Sequence, residues 1–590
     1  MNLNANKAQA ALLLFLISFF VYTPSLRNDF VWDDIEVIEK SYHSFKASRI
    51  NTVLFPKANE NKRQRYYRPV IFVSMVIDRQ LWGITPFGFH LSNILLNSIS
   101  TILFYFAMLL IFGKFHVEGK ESISFFSALL FALYPMHVES VSWIAGRTDV
   151  LCSIFFIIAF IVHIASYDNI RLLMLTSLSF SLSLLSKEVA LSFPIVAISF
   201  DLLTRRIKNP YSILRYAVYL SLVLLYLYLR GRAYINLLDL TNENINQIAE
   251  SKYYFFNIIK TLKVLSNSFL FYINKLVFPF DFNAFIISVP NELYYFIFST
   301  ITFLLLIIVA VISIKRGKGL IAFCIIWILL TLAPSAIVSI TNLASTPLAE
   351  RYLYIPSAGY CMIIGYLLLE RAKRMSTKKI AWALMTILIS LYLFFTLQRQ
   401  DVWKDNLSLW KDTSFKSYYH ALPHSNYGFA LEKAGKTDEA IRHYEIALHP
   451  RVKDSNRGRA VTATNLGVLY LNKEDYANAE KWFMEAIQYD PTYGRPYYHM
   501  GLIYYIKGEL TNSASAYRKA ERYLEKTFEI YRYYAKADLL LAKVYLRLGE
   551  REKAEQHAKK ALQSGLSESL SREATRILNI DYDEITQQPD

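Results

Sequence analysis

The residues best placed to do chemistry stand side by side, Asp33 and Asp34, in the stretch NDFVWDDIEVI of residues 28–38. Two adjacent carboxylates suit general-base work, one of them taking the proton of an attacking hydroxyl. They follow an apolar run over residues 10–22 and a break at Pro24, which leaves them about two to three helical turns beyond a first membrane span. That is within reach of a lipid headgroup. The same side chains also suit a purely structural task, capping a short helix over residues 35–40, because Asp accepts hydrogen bonds from free helical N–H groups. Both readings stay open at this point.

Three short segments put further charge at helix ends: HVESVSWIAGRTD (residues 137–149), SKE (186–188) and AER (349–351). In each, a cation lies beside an acid: Arg147 with Asp149, Lys187 with Glu188, Arg351 with Glu350. Charge at membrane level is costly and marks a site, although a single Lys or Arg can simply snorkel to the headgroups. One acidic pair and several cations suit transfer of a group from a lipid-linked phosphate. Phosphate already leaves well, so the chemistry asks for one base and for cations to hold the developing negative charge. A glycoside hydrolase would need a second, protonated carboxylate across the scissile bond. His43, His90, His116, His137 and His163 lack paired ligand spacing, so no divalent metal is expected; His137 with Glu139 is the one candidate pair. With no Walker loop and no GxGxxG, a nucleotide cofactor is not expected either.

The elements that must position these residues are apolar helices. With 590 residues, 54% hydrophobic and 15% aromatic, the chain reads as a polytopic membrane protein with a soluble tail. Cys152, Cys324 and Cys361 fall inside apolar spans and make no disulfide framework. Lys7 precedes an apolar run without a small-residue cleavage site, so the first span is expected to be retained. Eleven spans are expected, near residues 8–26, 89–112, 122–138, 148–167, 171–186, 188–204, 212–230, 292–314, 319–340, 351–370 and 379–397. Residues 70–82 and 253–276 read as helices lying in the interface.

The net charge of +16 sorts by membrane side and does not point to nucleic acid. One set of short loops carries fourteen cations, Lys208 and Arg374 among them, and the alternate set carries Arg147, Lys187 and Arg351. This bias places the N-terminus in the cytoplasm. An odd span count then puts the acidic loop and the tail outside, in a bacterial periplasm or in the lumen of the endoplasmic reticulum.

Five stretches in order resemble a known family: NDFVWDD, YYRPVIFVSMVIDRQLWGITPFGFHLSNILLNS (residues 66–98), ALLFALYPMHVESVSWIAGRTDVL (128–151), LLSKE (184–188) and AERYLYIPSAGY (349–360). They look like the transmembrane and tetratricopeptide-repeat O-mannosyltransferases and their bacterial relatives, over nearly the whole chain. The resemblance implies a C-class integral-membrane glycosyltransferase that uses a polyprenyl-phosphate sugar, mannose in the family, with its acidic motif at Asp33 and Asp34. Donor-phosphate binding by Arg147, Lys187 and Arg351, supported by His137, Glu139, Asp149, Glu188 and Glu350, is expected from charge alone.

From Ala421 a 34-residue pattern of small, aromatic and Ala positions recurs four times, around Gly428, Gly467, Gly501 and Ala542. The expected architecture is all-α: a transmembrane domain over 1–400, a connector over 401–420, tetratricopeptide repeats over 421–570 and a tail over 571–590. Asn426 and Asn465 recur at one position of the first helix of their repeats, where amides suit an extended peptide acceptor. The competing reading is a non-catalytic scaffold that gathers envelope proteins. A transporter fits less well, since the ionisable residues collect at one face and not along a midplane path.

Overall fold

A span needs about 20 apolar residues in one helix. The computed structural model describes residues 5–40, 50–55, 67–166, 169–207, 211–238, 258–341, 346–373, 377–531 and 533–579. Among these, six helices are long and apolar enough to cross a membrane: Pro86–Lys114, Ile144–Ala165, Ser212–Arg232, Leu293–Lys315, Gly319–Ile340 and Lys378–Val402. Lys120–Ala132 and Pro135–Ser142 make a seventh if their 49° bend is counted within one span. The expected count of eleven is therefore not reached.

The other expected spans are shorter helices: Ala5–Val21, Leu173–Leu184, Phe193–Leu203 and Pro356–Ala372. The cause lies in the charged segments, which coil into tight turns at Pro135–His137, Ile144–Gly146, Glu188–Ser192 and Glu350–Leu353. Several of these turns use residues that an unbroken span would have needed. Pro356 then restarts a helix in its first turn, where its missing N–H costs nothing. Tyr66, Lys208, Arg374, residues 253–257, His43 and the last eleven residues of the expected tail lie outside the described residues.

The chain divides into two compact units, Met1–Asp412 and Thr413–Asp590, so residues 401–412 of the expected connector group with the first. In that unit the Ile144–Ala165 helix is central, 78% of its apolar window being buried, whereas Leu293–Lys315 buries only 17%. Exposed Phe298, Leu304 and Ile308 on the latter suit lipid contact. These apolar helices make the chain an integral membrane protein. Small residues let the helices close up: a Cβ added to Gly359 would lie 2.8 Å from Ile328 and 2.9 Å from the Cys324 carbonyl. Cys152, Cys324 and Cys361 are buried and unbridged. The amphipathic helix Ile258–Val277 carries Lys260, Lys263 and Lys275 and packs on two of the apolar helices.

The second unit stacks four antiparallel helix pairs: Ala421–Lys433 with Thr437–Leu448, Asn456–Asn472 with Tyr476–Tyr489, Gly494–Thr511 with Ala514–Ile530, and Ala535–Arg547 with Arg551–Gln563. Glu568–Leu578 packs against the fourth pair. The small positions of the repeat do the work expected of them. A Cβ on Gly428 would meet the Tyr444 ring at 2.8 Å, and one on Gly467 the Phe483 ring at 2.6 Å. Ala440, Ala447, Ala479, Ala486, Ala520, Ala554 and Ala561 are fully buried in the same seams. Ser455 and Asp475 cap their helices by accepting the N–H groups of Gly458 and Asn478.

Candidate functional site

Backbone contacts gather the charged segments at one end of the membrane unit. The Asp29 N–H donates to the Lys404 carbonyl at 2.8 Å, and the Val70 N–H to the Leu185 carbonyl at 3.3 Å. Asn283 donates its N–H to Glu350 at 2.5 Å. The Arg351 N–H donates to Glu139 at 3.0 Å. Segments far apart in sequence thus share one polar end.

There the two acids part company. Asp34 is fully buried. Its Oδ1 accepts the Ala145 N–H at 2.9 Å and its Oδ2 the Val31 N–H at 3.3 Å. Burial pushes its carboxyl up to about 7; backbone donors pull the other way and the charge of Asp33 adds to the rise. Asp34 therefore staples its loop to the 144–146 turn, through donors that lie outside the following helical turn, Ile35–Lys40. Asp33 is exposed.

Trp32, just before the pair, has φ 54°, in the left-handed region that side-chain-bearing residues rarely occupy. Other rings hold it there. It stacks on Trp143 at 5.1 Å between centroids and 16° between planes, with Trp403 parallel at 6.5 Å and Trp410 edge-on at 5.6 Å. Loop, inner turn and the segment after the last apolar helix are thereby packed into one aromatic cluster.

The structure brings the expected cations to this end but exchanges their partners. Arg147 pairs with Asp78 at 2.5 Å and donates to the Phe89 carbonyl at 3.1 Å. Lys187 pairs with Asp149, 2.6 Å and 2.5 Å from its two oxygens, under the Tyr352 ring. Arg351 pairs with Glu139, and Glu350 with Arg399 at 3.3 Å. Glu188 lies between Arg68 at 2.9 Å and Arg230 at 3.3 Å. Sequence neighbours do not face each other, so each acid is answered from another segment.

Exposure sorts these cations. The Arg147 and Lys187 side chains are 1% and 3% exposed, Arg351 13%, Arg68 21% and Arg230 28%. Arg68, Arg230, Arg399 and Asp78 are additions to the expected set; Arg68 and Asp78 both lie in the 66–98 stretch, and the local signal at Arg68 is an Arg directly before a helix-starting Pro. His137 faces elsewhere: its Nε2 is 2.8 Å from the Ser357 hydroxyl, amid the rings of Phe131, Tyr134 and Tyr354. His137 and Glu139 thus have different partners, and among the described residues no group of three or more His, Cys, Asp or Glu is placed to hold a metal ion. In the second unit Asn426 and Asn465 are half-buried, and Asn465 lies within hydrogen-bonding reach of the Tyr444 hydroxyl.

Comparison with known proteins places the chain in context. The tetratricopeptide repeat family model matches residues 462–493 and 494–523. Over 74% of its length the chain is 26% identical to Protein O-mannosyl-transferase F38B6.6 of Caenorhabditis elegans, covering 62% of that protein. It is 24% identical to Protein O-mannosyl-transferase Tmtc3 of Drosophila melanogaster over 82% of this chain and 59% of that one. With Protein O-mannosyl-transferase TMTC3 of Homo sapiens the figures are 22%, 82% and 55%. The resemblance read from the motifs is borne out, and the chain spans 55–62% of the length of these relatives. Among solved structures, a crystal structure of MamA is 22% identical over 27% of this chain and 85% of that one, with a TM-score of 0.23.

Proposed function

We propose that this chain is an inverting glycosyltransferase that moves one sugar from a polyprenyl-phosphate donor to a hydroxyl acceptor, a protein Ser or Thr presented through the repeats. Mannose is the sugar proposed, by likeness to relatives named O-mannosyl-transferase. The observation that carries the reading is the division of the acidic pair. Asp33 is exposed at an end rich in arginine, while Asp34 is buried with both oxygens engaged by backbone donors.

In the proposed step Asp33 takes the acceptor's hydroxyl proton as that oxygen bonds to the anomeric carbon. The bond from that carbon to the phosphate oxygen breaks, its electron pair leaving with the phosphate. A single displacement of this kind inverts the anomeric centre. Arg351, Arg68 and Arg230, the more accessible cations, suit the phosphate's growing charge. Arg147 and Lys187, buried against their own carboxylates, frame the site. The loop-charge bias supports placing this end outside, in the periplasm or the lumen of the endoplasmic reticulum.

The test is sugar transfer by purified full-length protein from a polyprenyl-phosphate mannose to a Ser/Thr peptide. Asp33→Asn should cut the rate by about 100-fold to 10,000-fold, the usual span of a general-base contribution. Asp34→Asn should leave more activity than Asp33→Asn. A wild-type protein that binds donor and neither transfers nor hydrolyses it would point instead to the scaffold.

A further inference from the structure

Asn406 ties the aromatic cluster to the acidic loop and belongs to none of the ion pairs. It opens the helix Asn406–Lys416, just past the end of the last apolar helix at Val402. Its Oδ1 accepts the Trp32 backbone N–H at 3.0 Å and the Trp410 indole N–H at 3.2 Å, and its Nδ2 donates to the Phe30 carbonyl at 3.3 Å. The indole N–H groups of Trp143 and Trp403 are buried and find no acceptor among the described residues. Much of the polar anchoring of the cluster therefore falls on this one amide.

What it anchors is strained. For a residue with a Cβ the left-handed conformation is sterically disfavoured, and such a residue persists where its surroundings over-determine it. Trp32 at φ 54° meets that condition through three neighbouring indoles and the Asn406 acceptor. Its inward turn is followed by Asp33 at the surface and Asp34 in the interior.

We propose that Asn406 is a positioning residue for sugar transfer: by holding the Trp32 N–H it fixes the left-handed turn that keeps Asp33 at the surface. The proposal rests on the reading of Asp33 as the base.

Two readouts on the full-length protein test it. The first is the alkylation rate of Asp33→Cys, against a background of three buried native cysteines. In an Asn406→Ala background it should change several-fold, and in Asn406→Asp, which keeps the Oδ1 acceptor, it should stay near the parent rate. The second is kinetic. Asn406→Ala should lower kcat by about 10- to 100-fold, as for a misplaced catalytic group, with donor KM little changed. That loss should vanish in an Asp33→Asn background.

Unchanged labelling in Asn406→Ala overturns the proposal, and so does an Asn406→Asp variant that labels unlike the parent. A kcat loss that persists without Asp33 also overturns it. If labelling depends on Asn406 while the wild-type protein transfers no sugar, the positioning stands and the enzymatic reading falls.

Discussion

Asp33 and Asp34 share a residue type and a neighbourhood, yet only Asp33 is exposed. Asp34 lies at 0% exposure with an N–H on each oxygen, so an acceptor hydroxyl could reach it only after the loop came away from the 144–146 turn. Its raised carboxyl makes a testable stability statement. The folded state keeps the proton until about pH 7, while the unfolded chain releases it near 4. Between those values the unfolded state binds fewer protons, so this group's contribution to stability falls as pH rises and levels off above 7. Asp34→Asn should remove that slope. Thermal melts at pH 4.5, 6 and 8 should show the variant losing most, relative to wild type, at the acid end; a constant difference across the series would contradict the burial argument. The local sequence could not separate the two acids, because the donor that fixes Asp34 comes from Ala145, 111 residues away.

At the scale of elements, the polar end is a set of cross-ties between segments. Arg147 joins the 144–146 turn to the Pro69–Trp82 helix through Asp78, and Lys187 reaches back to Asp149. Arg351 joins Glu139, and Arg399 joins Glu350. The charged segments and their shared end are legible in the sequence, since charges that interrupt apolar runs are visible one by one. The partners are not legible in this way: Arg147 beside Asp149 and Lys187 beside Glu188 are two and one positions apart, and such neighbours do not face each other on a helix. The same turns explain the missing spans, for hydropathy counts residues and is blind to a segment that coils inward. Removing one partner of a buried pair costs about 3–5 kcal/mol, whereas replacing both with apolar residues is often neutral. Lys187→Met should therefore lower the melting temperature sharply, and adding Asp149→Leu should recover much of it. If the double variant melts no higher than the single one, the pair is not a self-contained tie.

For the whole molecule, the contact of Asp29 with Lys404 and of Trp32 with Asn406 settles one matter that span counting leaves open. The first loop and the segment after the last apolar helix share one end of the bundle, whether six, seven or eleven helices cross. The repeats, which follow at once, should then be on the acidic loop's side. Ser569→Cys, at an exposed position in a chain whose other thiols are buried, should react with an impermeant reagent applied from outside. Labelling only after the membrane is opened would reverse the proposed orientation. The repeat motif was legible because its small positions are packing positions, as Gly428 against Tyr444 and Gly467 against Phe483 show. Those same contacts give the repeats a structural vocabulary of close-packed helices, while the divided acidic pair lies in the first unit. The two tasks should therefore come apart. A chain ending after Lys416 keeps the helix Asn406–Lys416 and the Arg399–Asp412 pair at 3.1 Å, so the polar end retains its supports. It should still hydrolyse donor or transfer to a small surrogate alcohol, measured as released polyprenyl phosphate, while losing transfer to a protein acceptor. A truncated protein that stays folded in detergent and binds donor, yet turns none of it over, would mean that the repeats take part in the chemical step.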